Sequence, residues 1–462
     1  MTPRALAVRA LMHQEQDGYS NLVLDAELKR CMPPLDARDT AFATRIFYTT
    51  VERQRLLDYC LMQFIRKPLA KLDAPVRAIL RAGLDQAKFL DVPVSAAVNE
   101  SVKLTRAFGK SSAAGMVNAV LRRATGFTPD AAAFSSPVQR LAVLYSLSDP
   151  VAKLLWQCYG EESFSMAEAF YTQPGGDTAI RVNTLKTTDE ALASALTGAG
   201  CAVRPGPWPH CLLVKFAGSP AATDAFRQGL YHVQGLASQF AADCVAARPG
   251  QRVLDLCAAP GGKSLTLAYA MGNTGTLISC DAVKSRLPLI ESAFARCGVT
   301  CGRVLENDAS RQNPVLGQFD RILCDVPCSG LGVIRKKPDV RYKSLQGLES
   351  LVTLQGKILE AAASHLAENG RLVYSTCTVN PAENQDQVRA FCTRHPEFSV
   401  LSPAVFPNGV LDTGYGTLLL PNRTGTDGFF AAILIRRREK SLQNSENLKE
   451  VNNSFQKCTI IS

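Results

Sequence analysis

The 462-residue sequence contains no apolar run that approaches the roughly eighteen residues of a membrane span. Its N-terminus, MTPRALAVRALMHQEQDG, is interrupted by Arg9 and His13 and makes a poor signal peptide. The 15 cysteines have no regular spacing, which favours reduced thiols over a disulfide framework. We therefore expect a globular cytoplasmic protein without a membrane partner, and its length allows two or three domains.

Acidic residues are too few to balance the basic ones, and the formal net charge is +10. Residues 1–150 hold 20 Lys and Arg against 14 Asp and Glu, and residues 246–438 hold 22 against 16. Residues 151–245 hold 6 against 8, so two basic regions flank a connector that is close to neutral. This distribution favours a polyanionic partner, such as a nucleic acid held at two places.

The sequence also lacks the phosphate-binding turns GxGxxG and GxxxxGK[ST]. Instead, a predicted strand at 251–257 (QRVLDLC) leads into the turn 258–262 (AAPGG) and a predicted helix. Gly261 and Gly262 carry no Cβ, so the turn can approach a ligand closely, and a helix start favours an anionic group. Asp281 ends the next predicted strand, where a carboxylate can accept from ribose hydroxyls. These features suit S-adenosylmethionine, although an ordinary strand–helix–strand unit explains the same residues.

The predicted elements divide the chain into several domains. Residues 1–137 carry apolar residues near a helical period and predict an all-α domain. Residues 138–235 mix helical and strand patterns, which predicts a small α+β connector. Residues 236–438 alternate apolar strands with helices and predict a doubly wound, Rossmann-like α/β domain, because such strands need helices on both faces. The polar remainder, 439–462, is expected to be disordered.

Distinctive side chains follow the predicted strands of the α/β domain, at the edge where ligands gather in doubly wound sheets. Asp281, Asp308 and Asp325 lie at successive strand ends. We assign Asp281 to the ribose, Asp308 to the adenine amine or its neighbourhood, and Asp325 to the boundary between cofactor and substrate. Cys328 in DVPCSG and Cys377 in YSTCT also lie just past strands.

These cysteines allow three interpretations. Most buried thiols are small hydrophobic side chains without a chemical role. A zinc site could use the pairs Cys297/Cys301 and Cys324/Cys328. Against zinc, no pair has the tight CxxC spacing, and Cys324 lies within a predicted strand. The third interpretation is a nucleophilic thiolate beside a ligand site.

The N-terminal part resembles the helical RNA-binding domain of the antitermination factor NusB, through GYSN (18–21), VRAILRAGL (76–84), FLDVPVSAAVNESV (89–102) and VNAVLRR (117–123). It is more similar still to that domain as fused at the front of the Sun/Fmu family of ribosomal small-subunit RNA cytosine-C5 methyltransferases. DLCAAPGGK, DVPCSG and STCT, in this order and spacing, resemble the catalytic domain of the same family, so that the similarity covers about residues 4–438.

Two positions depart from the family pattern. Asp85 stands where the family usually has an aromatic residue, and Gly235 stands where it usually has an acidic one. The first departure concerns one packing contact in the helical domain. The second means that a polar contact near the cofactor is missing or is made by another residue.

The resemblance implies a role for each motif residue. Carbon 5 of cytosine is a poor nucleophile, and a thiolate that adds to carbon 6 converts the ring into an enamine. Cys377 would be that nucleophile, Cys328 would help to release the product, and Asp325 would be the partner of the ring nitrogen. The resemblance also implies an S-adenosylmethionine site that comprises Cys257, Ala258, Ala259, Pro260, Gly261, Gly262, Lys263, Asp281, Asp308 and Asp325.

The partner implied by the resemblance is 16S ribosomal RNA, bound by a monomer without a metal. We predict phosphate contacts at two basic clusters, which are Arg335, Lys336, Lys337 and Arg341 after DVPCSG, and Arg122 and Arg123 after VNAVL. Charged runs are more often solvated faces, and the helical domain could be a scaffold only.

Two other functions compete with a cytosine-C5 methyltransferase. The first is a non-catalytic RNA-binding or ribosome-assembly factor with an inactive methyltransferase body, which the intact pair Cys328/Cys377 disfavours. The second is an exocyclic-amine methyltransferase, which would need [DN]PP[FYW] where this chain has DVPC.

Overall fold

The computed structural model describes residues 1–17, 20–171, 176–403 and 408–436. The predicted disordered tail, 439–462, lies outside the described residues, as do positions 18 and 19 of the GYSN segment. The chain forms two compact units, Met1–Tyr171 with Val333–Gln346, and Thr172–Gly332 with Gly347–Ser462. No helix in the described part combines the length and the apolar character needed to cross a membrane.

The first unit is all-helical, as its sequence pattern predicts. Its helices are α1 (Pro3–Asp17), α2 (Ser20–Arg30), α3 (Ala37–Glu52), α4 (Gln54–Met62), α5 (Ala74–Phe89), α6 (Val94–Ala107), α7 (Ala114–Ala124), α8 (Pro137–Leu144), α9 (Asp149–Tyr159) and α10 (Glu162–Ala169). α5 is buried along most of its length and packs against α1, α3, α6 and α7 around one core. The single helix that the pattern favours over 38–64 breaks at Arg53, whose φ of −116° and ψ of 12° are not helical.

The segment Val333–Gln346 begins three residues after the end of DVPCSG, yet it belongs to the helical unit. Asp339 accepts from the backbone amide of Ser20 at 3.0 Å and from its hydroxyl at 2.8 Å. Tyr342 donates from its hydroxyl to the carbonyl of Val51 at 2.5 Å. Much of this charged segment is therefore a packing element of the helical unit.

The second unit contains the strands and the remaining helices. They are β1 (Thr178–Val182), α11 (Asp189–Gly198), β2 (Ala202–Pro205), β3 (Cys211–Lys215), α12 (Asp224–Arg227), β4 (Tyr231–Val233), α13 (Leu236–Cys244), β5 (Arg252–Asp255), α14 (Gly262–Ala270), β6 (Thr276–Asp281), α15 (Leu287–Cys297), β7 (Gly302–Glu306), β8 (Phe319–Asp325), α16 (Leu348–Ser364), β9 (Leu366–Thr376), α17 (Gln385–Arg394), β10 (Phe398–Leu401), β11 (Leu411–Asp412), β12 (Thr417–Leu419), α18 (Pro421–Thr424) and β13 (Phe429–Arg436).

The predicted connector, 138–235, does not form one body. Its helices α8 to α10 belong to the helical unit, whereas its strands form an antiparallel sheet of order β2-β3-β1-β4 in the second unit. Helical periodicity and strand alternation reveal the kinds of element in this region, but they do not say which core each element joins. The boundaries drawn at 137 and 235 therefore differ from those of the compact units.

The large sheet has the order β11-β12-β13-β9-β8-β5-β6-β7, with β10 paired to β13. β5 to β9 are parallel, as their apolar sequences predict, and β13 runs antiparallel to β9. The chain moves outward from β5 to β7 on one side and from β8 to β9 on the other. Because such crossovers are right-handed, α14 and α15 cover one face and α16 the other. The doubly wound fold is thus confirmed, and the order reverses between β5 and β8.

Candidate active site

Ligands bind to doubly wound sheets beyond the carboxyl ends of the strands, where the strand order reverses. In this sheet, that edge holds the glycine-rich turn after β5 and the DVPCSG loop after β8. Asp281 ends β6, and Cys377 directly follows β9. Most of the predicted cofactor and catalytic residues therefore share one edge of the second unit.

The turn between β5 and α14 is shaped by a glycine. Gly261 has a φ of 103°, which L side chains rarely adopt, and α14 begins directly after it. A Cβ on Gly261 would lie 3.3 Å from Ile290 Cα on the neighbouring helix α15. The turn therefore needs glycine both for its conformation and for the close approach of two helices. The first amides of α14 face the edge where an anionic group would be favoured.

Asp255 lies directly beneath this turn and is fully buried. Its carboxyl accepts from the Ser264 hydroxyl at 2.7 Å, and Ser279 donates to Ser264 at 2.9 Å. Burial raises the pKa of Asp255 to about 7, although the Ser264 hydrogen bond opposes the rise. The second oxygen, Oδ1, has no hydrogen-bond partner among the described residues.

Asp281 is almost fully buried and is already held in place by hydrogen bonds. Its carboxylate accepts from the backbone amides of Ala259 at 3.2 Å and Val283 at 3.0 Å. Arg286 forms an ion pair with it at 3.3 Å and donates to the carbonyl of Ala259 at 2.9 Å. Asp281 and Arg286 therefore fix the glycine-rich turn from the β6 side, and sequence reasoning missed Arg286.

After the end of β7, the adjacent residues Asn307 and Asp308 differ in burial. Asp308 is exposed and accepts from the Ser310 hydroxyl at 2.7 Å, and hydrogen bonds to Ser310 lower its pKa. Asn307 is buried instead, and its amide nitrogen has no partner in the part of the chain that is described. The buried polar group at this position is therefore Asn307, whereas the sequence directed attention to Asp308.

Lys263 connects the glycine-rich turn to the end of β8. Its ammonium lies 2.6 Å from one oxygen of Asp325, and the Ser375 hydroxyl donates to the other oxygen at 2.9 Å. Burial opposes the charge on Lys263, but Asp325 and the nearby Cys377 raise its pKa overall. Lys263 therefore stays charged between the cofactor turn and the cysteines.

The two predicted catalytic cysteines are brought together. Their Sγ atoms lie 3.2 Å apart, and both side chains are half-buried. The hydrogen bond with Cys377, burial and the nearby carboxylates of Glu383 and Asp325 all raise the pKa of Cys328. Cys328 therefore favours its thiol form, and Cys377 lies close enough to Lys263 to contribute to the raised pKa of that lysine.

Glu383 is the largest omission of the sequence analysis. It is fully buried and accepts from the residue that follows Cys328, through the Ser329 amide at 2.7 Å. Nothing in its spacing marked it, because its partners come from distant parts of the chain. The zinc alternative finds no support, since the described residues contain no group of three or more metal ligands.

Two family models match the chain. The model for 16S rRNA methyltransferase RsmB/F matches residues 242–435, and the NusB family model matches residues 1–125. The probable ribosomal RNA small subunit methyltransferase B of Bacillus subtilis is 34% identical over 92% of this chain and 97% of its own. That of Thermus thermophilus is 35% identical over 94% of this chain and 98% of its own. The chain belongs to the RsmB/F family of 16S rRNA methyltransferases.

A solved structure supports the same assignment for the fold. That of PH0851 covers 94% of this chain and 99% of its own, with a TM-score of 0.77 and 26% identity. Membership in the RsmB/F family confirms the resemblance inferred from the motifs. The chain is accordingly an S-adenosylmethionine-dependent rRNA methyltransferase with a NusB-like domain.

The strand-end edge of this RsmB/F family member fits S-adenosylmethionine. The turn at Gly261 has a positive φ that favours glycine, and Asn307 offers a buried amide nitrogen without a partner in the described chain. Gly235, where the resemblance leads one to expect an acidic residue, directly precedes α13 and provides no side-chain cap. The neighbouring Gln234 contacts the turn instead, since it donates to the carbonyl of Gly262 at 3.3 Å and accepts from Thr266 at 2.8 Å.

The residues that were predicted to contact RNA differ in their burial. Lys336 and Lys337 are exposed and Arg335 is half-buried, all in the segment that joins the helical unit. Arg341 is fully buried, and its guanidinium donates to the carbonyls of Tyr145 at 2.9 Å and Phe170 at 2.7 Å. The prediction of a phosphate contact at Arg341 is therefore wrong. Burial in a helical core was invisible in a run of charged residues.

Arg122 and Arg123 end α7 on the surface of the helical unit. Arg122 donates to the Asn118 side chain at 3.0 Å, and the Arg123 guanidinium lies 4.8 Å from the ring centroid of Phe64. Both are accessible, so an RNA contact at these two residues stays a prediction.

Proposed function

We propose that the protein transfers a methyl group from S-adenosylmethionine to carbon 5 of a cytidine in 16S rRNA, through a covalent adduct to Cys377. The observation that carries the proposal is the 3.2 Å separation of the Cys328 and Cys377 sulfurs beside the Lys263–Asp325 ion pair. A methyltransferase that acts on an exocyclic amine needs no thiol nucleophile. A non-catalytic RNA-binding factor needs neither thiol.

The cofactor would be held by the turn Cys257–Lys263 and by Asp281, with Asn307 or Asp308 near the adenine. When bound, S-adenosylmethionine supplies an electrophilic methyl group on sulfur. Lys263 holds Asp325 at 2.6 Å on the substrate side of that turn, so Asp325 can meet the ring nitrogen of the target base. The exposed Arg122, Arg123, Lys336 and Lys337, together with the half-buried Arg335, are the proposed phosphate contacts.

Cys377 acts first in this mechanism. Its thiolate forms a bond to carbon 6 as the double bond between carbons 5 and 6 opens. Carbon 5 would then bond to the methyl group, and the electron pair of the broken methyl–sulfur bond would stay on the sulfur of the cofactor. Once the Cys377 sulfur is bonded to carbon, it no longer shares the proton of Cys328. The main cause of the raised pKa of Cys328 is thereby removed, so this half-buried thiol can release its proton to solvent and then serve as a base.

Elimination then completes the reaction. The carbon 5 proton passes to the Cys328 sulfur, and the electron pair of that bond restores the double bond between carbons 5 and 6. The bond between carbon 6 and the Cys377 sulfur breaks, and its electron pair regenerates the thiolate. The two cysteines therefore divide the work, with attack by Cys377 and proton removal by Cys328.

Two single substitutions test this division. Cys328→Ala should add to the ring and transfer the methyl group, then fail to eliminate, leaving a protein–RNA adduct that survives a denaturing gel. Cys377→Ala should give neither adduct nor product. Labelled S-adenosylmethionine, 16S rRNA transcripts and small-subunit particles would supply the assay, and bisulfite sequencing would locate the modified cytidine.

The outcomes separate the alternatives. The reverse pattern of adducts would exchange the roles of the cysteines. Full activity of both variants would contradict the covalent mechanism, and an inactive native protein would favour the assembly factor. We also propose that the enzyme works as a monomer in the cytoplasm, which light scattering and cell fractionation would check.

A further inference from the structure

The residues that directly follow the two cysteines are joined to each other. Ser329 and Thr378, which come after Cys328 and Cys377, have hydroxyl oxygens 2.7 Å apart and are fully enclosed. The loops are tied a second time through the backbone, where the Gly332 amide donates to the Cys377 carbonyl at 3.0 Å. Hydrogen bonds between the residues that follow the two cysteines therefore fix the separation of the two sulfurs.

Glu383 is the centre of this connection. Its carboxylate accepts from the Ser329 amide at 2.7 Å and from the Ser329 hydroxyl at 2.5 Å. It also accepts from the side-chain amides of Asn380 at 3.0 Å and Gln355 at 3.0 Å. Gln355 reaches the DVPCSG loop as well, donating to the Pro327 carbonyl at 2.9 Å.

These contacts require a carboxylate at position 383. The four short hydrogen bonds to Glu383 all come from donor groups, on the three residues Ser329, Gln355 and Asn380, and an ionised carboxylate is a pure acceptor with two oxygens. A glutamine of the same size would present an N–H group to at least one N–H or O–H donor. One or more buried polar groups would then lack a partner, which loosens the attachment of both loops.

We propose that Glu383 is a positioning residue. It keeps the Cys328 sulfur at the position relative to the Cys377 sulfur that removal of the carbon 5 proton requires. The inference rests on the proposed function, because it assigns Glu383 to one step of that mechanism. Attack on carbon 6 needs Cys377 alone, whereas elimination needs both sulfurs correctly placed on one ring. Loosening the connection therefore slows the second step more than the first, since misplacement by about 1 Å can reduce a rate by about 100-fold.

Glu383→Gln tests the proposal in the full-length enzyme. We expect calorimetric affinity for S-adenosylmethionine to stay within about twofold, while product release falls by about 10- to 100-fold. A covalent protein–RNA adduct should accumulate on denaturing gels, as for Cys328→Ala but in smaller amount. A residue that only supported the fold would lower every rate and would not produce this adduct.

The matched control is Glu360→Gln on α16 of the same unit. Glu360 also has several partners, Arg394 at 2.7 Å and His395 at 2.7 Å, but its side chain is partly exposed and its partners do not touch the cysteine loops. It should behave like the native enzyme and form no adduct. If Glu383→Gln does not fold, Ser329→Ala removes the hydroxyl contacts to Glu383 and Thr378 but keeps the backbone amide contact, and it should show a weaker version of the same effect.

A double substitution separates this inference from the proposed function. Cys328→Ala with Glu383→Gln should behave like Cys328→Ala alone, because Glu383 acts through Cys328. Additive losses, or parallel losses of product and cofactor affinity in Glu383→Gln, would overturn the positioning role. If Cys328→Ala itself forms no adduct, the covalent mechanism fails. If it does, and Glu383→Gln releases product at the native rate, only the role of Glu383 fails.

Discussion

The strand-end edge of the second unit has two halves that are built differently. In the cofactor half, Asp281 is held by backbone amides and by the partly exposed Arg286, while Asp308 lies on the surface. In the cysteine half, Ser329 and Glu383 are buried side chains joined by short hydrogen bonds. Asp281 in the cofactor half is therefore held by backbone amides and an accessible arginine, whereas the loops of the cysteine half are held by a buried side-chain network.

This difference matches what each half must do. A cofactor enters and leaves, so its contacts can include accessible groups that exchange partners. Two sulfurs that act in turn on one ring must keep their separation, and buried hydrogen bonds hold positions more firmly than exposed ones. The two halves should therefore fail independently when altered.

Gly332→Ala should cause the largest loss. A Cβ at this position would lie 1.9 Å from the carbonyl oxygen of Gly428, so the loop after Cys328 must shift away from the start of β13. We expect methyl transfer to fall by about 100-fold or more, while cofactor affinity changes only severalfold. Gly198→Ala, where nothing lies within 4 Å of the added Cβ, is the control. Equal losses of activity and cofactor affinity would contradict independent halves.

Lys263→Met should affect both halves, because Lys263 is the link between them. It removes the ammonium 2.6 Å from Asp325 and leaves that carboxylate with Ser375 at 2.9 Å. Breaking such a partly buried ion pair leaves an unbalanced charge. We expect methyl transfer to fall by about 10- to 100-fold and cofactor affinity to fall severalfold. Lys357→Met, which removes an exposed charge on α16, should change neither measurement.

Asp281→Ala should act on the cofactor half alone. It removes the acceptor for the Ala259 and Val283 amides and the expected partner of the ribose. We expect binding of S-adenosylmethionine to weaken by about 1.5–3 kcal/mol, which is about 10- to 150-fold in calorimetric affinity. At saturating cofactor, most of the activity should return, because the cysteine pair is untouched. Unchanged affinity would remove Asp281 from the site.

Much of the fold and half of the site could be predicted from the sequence. Apolar strands and the glycine-rich turn specify the parallel sheet and its functional edge, because strand period and glycine geometry are local properties. Cys328 and Cys377 could be found because each lies in a motif directly after a strand. These features need only nearby residues to be recognised.

The remainder depends on contacts between residues that are distant in the chain. Glu383 receives hydrogen bonds from Ser329 and Gln355, which no spacing rule connects to it. Arg341 looks like a phosphate-binding residue, but its carbonyl partners lie on segments about 170–200 residues away in the helical unit. Burial of a charged side chain is a property of the packed core, so local sequence patterns do not reveal it.

Asp85 is buried like Asp255, but it belongs to the helical unit rather than to the unit that holds the site. It is fully enclosed in the helical unit, accepts from Thr49 at 2.6 Å and from Thr50 at 3.3 Å, and burial raises its pKa to about 7. Its folded pKa lies above the unfolded value of about 3.9, so the folded state binds the proton more tightly. The resulting stability is complete below about pH 4 and is lost as pH rises to about 7.

Asp85→Asn should make the fall in unfolding free energy between pH 5 and 7 shallower by up to about 1.4 kcal/mol per pH unit, while methyl transfer stays native. The unfolding free energy would be measured by chemical denaturation at each pH. If its change with pH is the same in Asp85→Asn as in the native protein, Asp85 is ionised in the folded protein.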